Sequence, residues 1–407
     1  MEKGTIAIGV LKKGAFCLLL VALVFTLSGC WSSRELGELA FVSAVGIDRG
    51  DDGELRVTLE MAKPMAIGGE GGRTTEKAYW IAESTGQTVF DAMRNVLKRS
   101  TRRPFWQHNR FILMGESVAR EGIGPYLDFF WRDGETRTNA FLLIARGAPA
   151  GQLIQVEFDA DAIPAEGAFG LVALTRQALS KAAPSNLLQV LMALEMKGVE
   201  PTTAAVNLYD RRSGQPTEVG NILREGARIT AELDSTAVFK GDRLVGWLND
   251  VEGRGLLWAT GKARSGIVVI DAPGAQGAKI ALEILRSESK MEVEFVDGRA
   301  EASIKIEVTA AMGESQVELD PAQADLWRAL ELLLEEAIAG EITTAVSKAK
   351  ELGSDIFGFG AALRLSDHKS WEGIADSWDT FFLDTAVQVN VKAKLKHSGG
   401  MLQTVRF

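Results

Sequence analysis

The chain has 407 residues, 46% hydrophobic and 24% charged, with 42 Gly and 10 Pro. These figures exclude a mostly disordered chain, a collagen-like repeat and a polytopic membrane protein, and the length predicts two or three domains of ~100–200 residues. Two cysteines exclude a disulfide scaffold, three histidines argue against a His-rich metal centre, and a formal charge of −9 repels nucleic-acid phosphates.

The first thirty residues carry the clearest local signal. Lys12 and Lys13 precede an apolar run of 13 residues from Ala15 to Leu27. A spanning helix needs ~20 apolar residues, so this run reads as the core of a signal peptide. Leu27-Ser28-Gly29-Cys30 follows directly and matches the bacterial lipoprotein signal. Small residues before Cys30 let an extended backbone enter a peptidase cleft, and the Cys30 thiol is the nucleophile that takes a diacylglyceryl group. Cys17 leaves with the leader, so the mature chain is expected to begin at an acylated Cys30. Two or more acyl chains hold a protein on a bilayer durably, whereas one does so only marginally. The expected address is therefore the outer face of a membrane, with the body on a lipid tether.

Beyond the anchor the pattern is α+β and multidomain, with mixed and antiparallel sheets against packed helices. An N-terminal α+β domain is predicted over residues 30–147. Phe41 to Ile47 and the alternating Leu55, Val57, Leu59 and Met61 flank a Gly/Asp turn, which predicts a hairpin. Gly68 to Gly72 reads as a loop without phosphate-cradle spacing. A strand at 78–83, a helix at 87–99, a strand at 107–114, a helix at 117–130 and a strand at 139–145 complete the domain. A helix-rich segment is predicted over 148–223, with an apolar-faced helix at 185–197. A C-terminal α+β domain over 224–407 opens with strands at 228–233, 235–240, 266–270, 279–287, 290–297 and 300–310, read as a β-meander. Asp320-Pro321 marks the start of the longest helix, whose Leu/Ile/Val spacing runs to Leu352 before Gly353. A terminal strand at 385–396 returns to that sheet, so one long helix lies on an antiparallel sheet.

No residue pattern points to catalysis. H-E-x-x-H, C-x-x-C and G-x-S-x-G are absent from the sequence, and Gly255 to Lys262 lacks P-loop spacing. His108, His368 and His397 lie far apart in sequence, so no catalytic residue, cofactor or metal ligand is expected. Arg94, Lys98, Arg99, Arg102, Arg103 and Arg110 form the densest basic cluster, interleaved with Phe105 and Trp106. That cluster is either a solvated helix end or a patch for anionic headgroups or an acidic partner. Trp247, Trp258 and Phe359 are read as core residues, with a partner-facing role as the alternative.

Three ordered blocks carry a family resemblance. The first is Cys30-Trp31, Arg34-Glu35-Leu36, Leu39-Ala40 and Gly46-Ile47-Asp48. The second runs from Ala237 to Leu248 and continues through Glu252 and Arg254-Gly255-Leu256-Leu257-Trp258. The third is Asp355-Ile356-Phe357-Gly358-Phe359-Gly360, followed by Trp371 and Trp378. Together they resemble the Ger(x)C family, the C-subunit lipoproteins of spore germinant receptors; Ser32 stands where that family often has Asp or Asn. The resemblance implies a non-enzymatic subunit on the outer face of the spore's inner membrane. Its implied partners are a membrane A subunit and a permease-like B subunit in nutrient-triggered germination. It names no germinant. Two readings from other classes are a solute-binding lipoprotein, which predicts two parallel α/β lobes, and an envelope hydrolase, which predicts a convergent catalytic site.

Overall fold

Alternation of apolar and polar residues builds the first strands. In the computed structural model, β1 (Leu39–Arg49) and β2 (Leu55–Ala62) pair antiparallel, with Val45 opposite Leu59 and Ile47 opposite Val57. The structure describes residues 38–50, 52–63, 77–216, 229–318 and 324–396. Residues 40–100 and 104–396 cluster as one unit, separately from residues 38–39 and 101–103. Gly68 to Gly72, the Asp320-Pro321 cap, His397 and Cys30 lie outside the described residues.

The remaining strands are β3 (Tyr79–Gly86), β4 (Arg103–Phe105), β5 (Phe111–Gly115), β6 (Phe141–Ala145), β7 (Ser185–Asn186), β8 (Thr202–Asp210), β9 (Gln215–Pro216), β10 (Ile229–Lys240), β11 (Arg243–Leu248), β12 (Ile267–Asp271), β13 (Lys279–Val296), β14 (Arg299–Ser315) and β15 (Ala386–Lys396). They form two sheets. The main path of the larger sheet runs β11-β10-β8-β6-β5-β1-β2-β3, and the smaller runs β12-β13-β14-β15.

Both faces of the larger sheet are covered. Val45, Ile47, Ile112, Met114, Leu142 and Ile144 point to one face. There they meet the helices Val89–Asn95, Glu116–Glu121, Gly124–Arg132 and Leu187–Glu195. Phe111, Leu113, Phe141, Leu143 and Val206 point to the other, beneath the helices Ala150–Leu153 and Pro164–Leu174. Strands buried on both faces are apolar at every position, which is why Phe-Leu-Leu-Ile-Ala in β6 shows no alternation.

The smaller sheet buries one face. Ile280, Leu282, Ile304, Ile306 and Val308 pack with Leu330, Leu334, Ile338 and Ile342 of the 28-residue helix Ala324–Glu351. That helix ends at Gly353, whose φ of +64° is the left-handed region that closes a C-terminus without Cβ strain. β13 and β14 turn at Asp297-Gly298, where φ is positive at both residues, as a two-residue hairpin of this hand requires. At the edge of the sheet, the Ala393 N–H of β15 donates to Glu335 and the Leu395 N–H donates to Glu331, each at 3.0 Å.

Several sequence expectations are corrected. The helix expected over 117–130 is two helices, because Gly122 sits at φ +130° and the following Ile123 N–H leaves the helix to meet the Asp242 carbonyl at 2.8 Å. From Ile229 on, the segments expected at 228–233 and 235–240 are one strand with a bulge between Leu233 and Ser235. This strand pairs with β8 and β11 in the larger sheet and takes no part in a C-terminal meander. The larger sheet thus draws strands from both sides of residue 223. Segments 279–287 and 290–297 are one 18-residue strand, because Ser287 to Lys290 remain paired to β14. β15 joins the smaller sheet parallel to β14, and the centre of the larger sheet, from β1 through β5 and β6 to β8, is parallel too. Residues 255–259 lie in the helix Asp250–Ala259, where no phosphate-binding loop is formed.

Candidate functional site

Around each of the three sequence blocks, a buried carboxylate and a glycine stand at a junction between elements. In the first, a Cβ on Gly46 would collide with the backbone of Gly151. Asp48 accepts the N–H groups of Ala150 and Gly151, both at 2.8 Å, and so ties β1 to the start of the helix Ala150–Leu153. On the neighbouring strand, Glu60 is fully buried; it accepts the Ser43 hydroxyl at 2.6 Å and the Ala165 N–H at 3.3 Å. Its second oxygen has no partner among the described residues. Burial pushes the Glu60 carboxyl up to about 7.

In the second block, Asn249 caps the helix Asp250–Ala259 and Glu252 closes the capping box. Gly255 lets this helix touch the long helix, since a Cβ there would strike the Glu341 carbonyl. Glu341, buried on the long helix, takes two bonds from Arg254, the Nε one at 2.8 Å, and a third from the Trp258 indole at 2.9 Å. An isolated buried carboxylate would be costly; the guanidinium and the indole compensate it and fix the contact between the two helices.

The third block surrounds Asp355. Its carboxylate accepts the N–H groups of Gly358, Phe359 and Gly360 at 2.9–3.0 Å and the Trp378 indole at 2.9 Å. Burial pushes this carboxyl up to about 6 against those four donors. Gly360 lies against Gly198 and the Trp378 ring, and the Ala361 N–H donates to the Gly198 carbonyl at 2.9 Å. Phe359 stacks on Phe357, with ring centroids 5.2 Å apart. Trp258 and Phe359 are core residues, as expected. Trp247 is only partly buried, and Arg146 lies over its ring at 4.8 Å.

Asp48, Glu60 and Asp355 hold backbone N–H groups, Glu341 holds a guanidinium and an indole, and each does so at a different junction. Among the described residues no three His, Cys, Asp or Glu side chains gather as a metal site. His108 lies against Phe41 and Phe105, and His368 pairs with Glu372 at 3.3 Å.

Two members of the basic cluster, Arg94 and Arg110, lie on opposite faces of the larger sheet. Arg94 lies over Phe90 at 5.0 Å on one side. Arg110 lies over Phe169 at 4.4 Å on the other and pairs with Glu166 at 3.5 Å. Trp106 is buried in the core.

The surface offers a different feature, which sequence reading missed. Helix Gly124–Arg132 stands as a ridge between two grooves. One groove, of about 580 Å³, lies against the helix Leu187–Glu195 and is lined by Trp131, Leu188, Leu191, Met192 and Leu194 with Asp128, Glu195 and Asp242. The other, of about 480 Å³, is lined by Val89, Phe90, Pro125 and Phe129. Phe90, Trp131, Leu188 and Met192 are 41–58% exposed. Large apolar side chains grouped on a surface mark an interaction site more often than a lone one does. The apolar spacing of Leu187 to Met196 was visible in the sequence, but it does not reveal which part of the stripe remains uncovered.

Two family profiles match the chain in order. One, described as "Spore germination protein N-terminal domain", covers residues 32–208; the other, "Spore germination B3/ GerAC like, C-terminal", covers 234–399. The chain belongs to the Ger(x)C family of spore germination proteins. It is similar to "Spore germination protein KC" of Bacillus subtilis (strain 168), with 25% identity over 398 residues, 95% of this chain and 96% of that protein. It is also similar to "Spore germination protein B3" of the same organism, with 22% identity, covering 93% and 96% of the two chains. The crystal structure of the GerBC protein superposes with a TM-score of 0.55 at 17% identity, over 86% of this chain and 96% of that one. The mixed α+β fold is therefore shared within the Ger(x)C family, and the chain's role is in germination.

Proposed function

We propose that this Ger(x)C protein is the lipid-anchored, non-enzymatic C subunit of a spore germinant receptor, acting with membrane A and B subunits on the outer face of the spore's inner membrane. The observation that carries the reading is the lipoprotein signal ending at Cys30, placed directly before a body that two spore germination profiles match from residue 32 to 399. No helix among the described residues is long and apolar enough to cross a membrane, and the lipid at Cys30 is the proposed means of attachment. Asp48, Glu341 and Asp355 are committed to backbone, guanidinium or indole donors, which supports a structural use of these three over an acid–base one.

The mechanism follows from confinement. A protein tethered to a bilayer meets its membrane partners at a high effective concentration, so modest affinity suffices for assembly. Cys30→Ala is expected to abolish acylation, release the protein from spore membranes and impair receptor assembly and nutrient-triggered germination. The measurements are intact-mass spectrometry of the mature protein, membrane fractionation and germination assays. Unchanged membrane retention and germination in that variant would sink the proposal.

A further inference from the structure

We propose that the groove between the helices Gly124–Arg132 and Leu187–Glu195 is a docking site for a cationic amphipathic helix of another protein. The inference deepens the receptor-subunit reading and rests on it for the presence of a partner. Its chemistry comes from the groove itself. The floor is apolar, and Trp131 and Met192 expose 58% and 53% of their surfaces on its walls. Aromatic anchors dominate interface energetics, and Met adapts its shape to a partner side chain. A trough between two helices accepts a third through a row of apolar anchors.

Charge selects the occupant. The lining includes three carboxylates, Asp128, Glu195 and Asp242, and no Lys or Arg. Asp128 pairs with Arg132, at 2.8 Å, on the same helix. The Asp242 carboxylate accepts the Gly124 N–H at 3.3 Å. Neither Glu195 nor Asp242 forms an ion pair among the described residues. Acidic groups around an apolar floor favour a helix whose apolar row is flanked by Lys or Arg, and disfavour an acidic one through like-charge contact. An anionic lipid surface is disfavoured for the same reason.

The test is photo-crosslinking in spores carrying the full-length protein with a photoreactive phenylalanine analogue at Met192, and at Glu307 on the other sheet as a control. The expected product, identified by mass spectrometry, is a peptide of a different protein with helix-period apolar residues flanked by Lys or Arg. Glu195→Lys should lower its yield by about tenfold, and Leu188→Asp should abolish it. Circular dichroism and thermal melting of both purified variants should match the parent. Crosslinks to lipid, to a second copy of this chain or to an acidic or extended segment overturn the proposal, as does a yield no greater than at Glu307. Failure of the receptor reading shows separately: spores lacking the gene would then germinate normally whatever Met192 captures.

Discussion

Three buried carboxylates, Asp355 within a sequence block and Glu341 and Glu60 on elements packed against one, illustrate how the same group behaves in different surroundings. Asp355 faces four donors, so Asp355→Asn would turn one accepting oxygen into an NH₂ group aimed at N–H groups. That conflict is expected to lower stability by about 2–4 kcal/mol, read by chemical denaturation. Glu341→Gln weakens the hold on Arg254, whose side chain is 13% exposed, and should cost about 3–5 kcal/mol if the guanidinium stays buried. Glu60 carries a pH signature because burial outweighs the two donors that reach it. Its carboxyl lies near 7 in the folded protein against an ordinary 4.5. The folded state therefore holds the proton more tightly than the unfolded chain. That contribution, about 3 kcal/mol, is complete below pH 4.5, is lost as pH rises through about 7, and disappears in Glu60→Gln. Melting curves between about pH 5 and pH 8 should fall less steeply in that variant than in the parent. A parent no more pH-sensitive than the variant would place Glu60 among ionised carboxylates.

At the scale of elements, what the sequence reveals depends on whether the cause is local. The β1–β2 hairpin, the Asp297-Gly298 turn and the long helix are legible because alternation, positive-φ residues and Leu/Ile spacing act within a few residues of themselves. The pairing of β10 with β8 is not, because Ala231 and Leu233 find their core among residues more than twenty positions away. Nor does local pattern disclose the parallel centre of the larger sheet, since a strand buried on both faces has no periodicity to read. The glycines of the sequence blocks are visible as letters, but their purpose is tertiary. Gly255→Ala should separate the helix Asp250–Ala259 from the long helix and lower stability by about 1–3 kcal/mol, whereas Ala substitution at Gly340, which nothing crowds, should not destabilise. Differential scanning calorimetry of the pair distinguishes contact from propensity.

At the scale of the whole molecule, the sequence division at residue 223 and the extent of the larger sheet differ. Ala237, Phe239 and Leu244 belong to the same core as Val45 and Ile112. A fragment ending at residue 223 is therefore expected to lose fixed side-chain packing while retaining much of its helix and strand, giving weak near-ultraviolet circular dichroism and binding of a hydrophobic dye. Retention of native near-ultraviolet signal would show that β10 and β11 are dispensable. The candidate groove was hidden for a related reason: its walls come from three separate stretches of chain, residues 124–131, 188–195 and 241–242. One last property follows from the glutamates that reach from the long helix to the outer rim of β15. An unguarded strand margin is a template on which like chains polymerise. By occupying two of its amide hydrogens, Glu331 and Glu335 make that margin a poor seed, a safeguard that matters most where many copies crowd together.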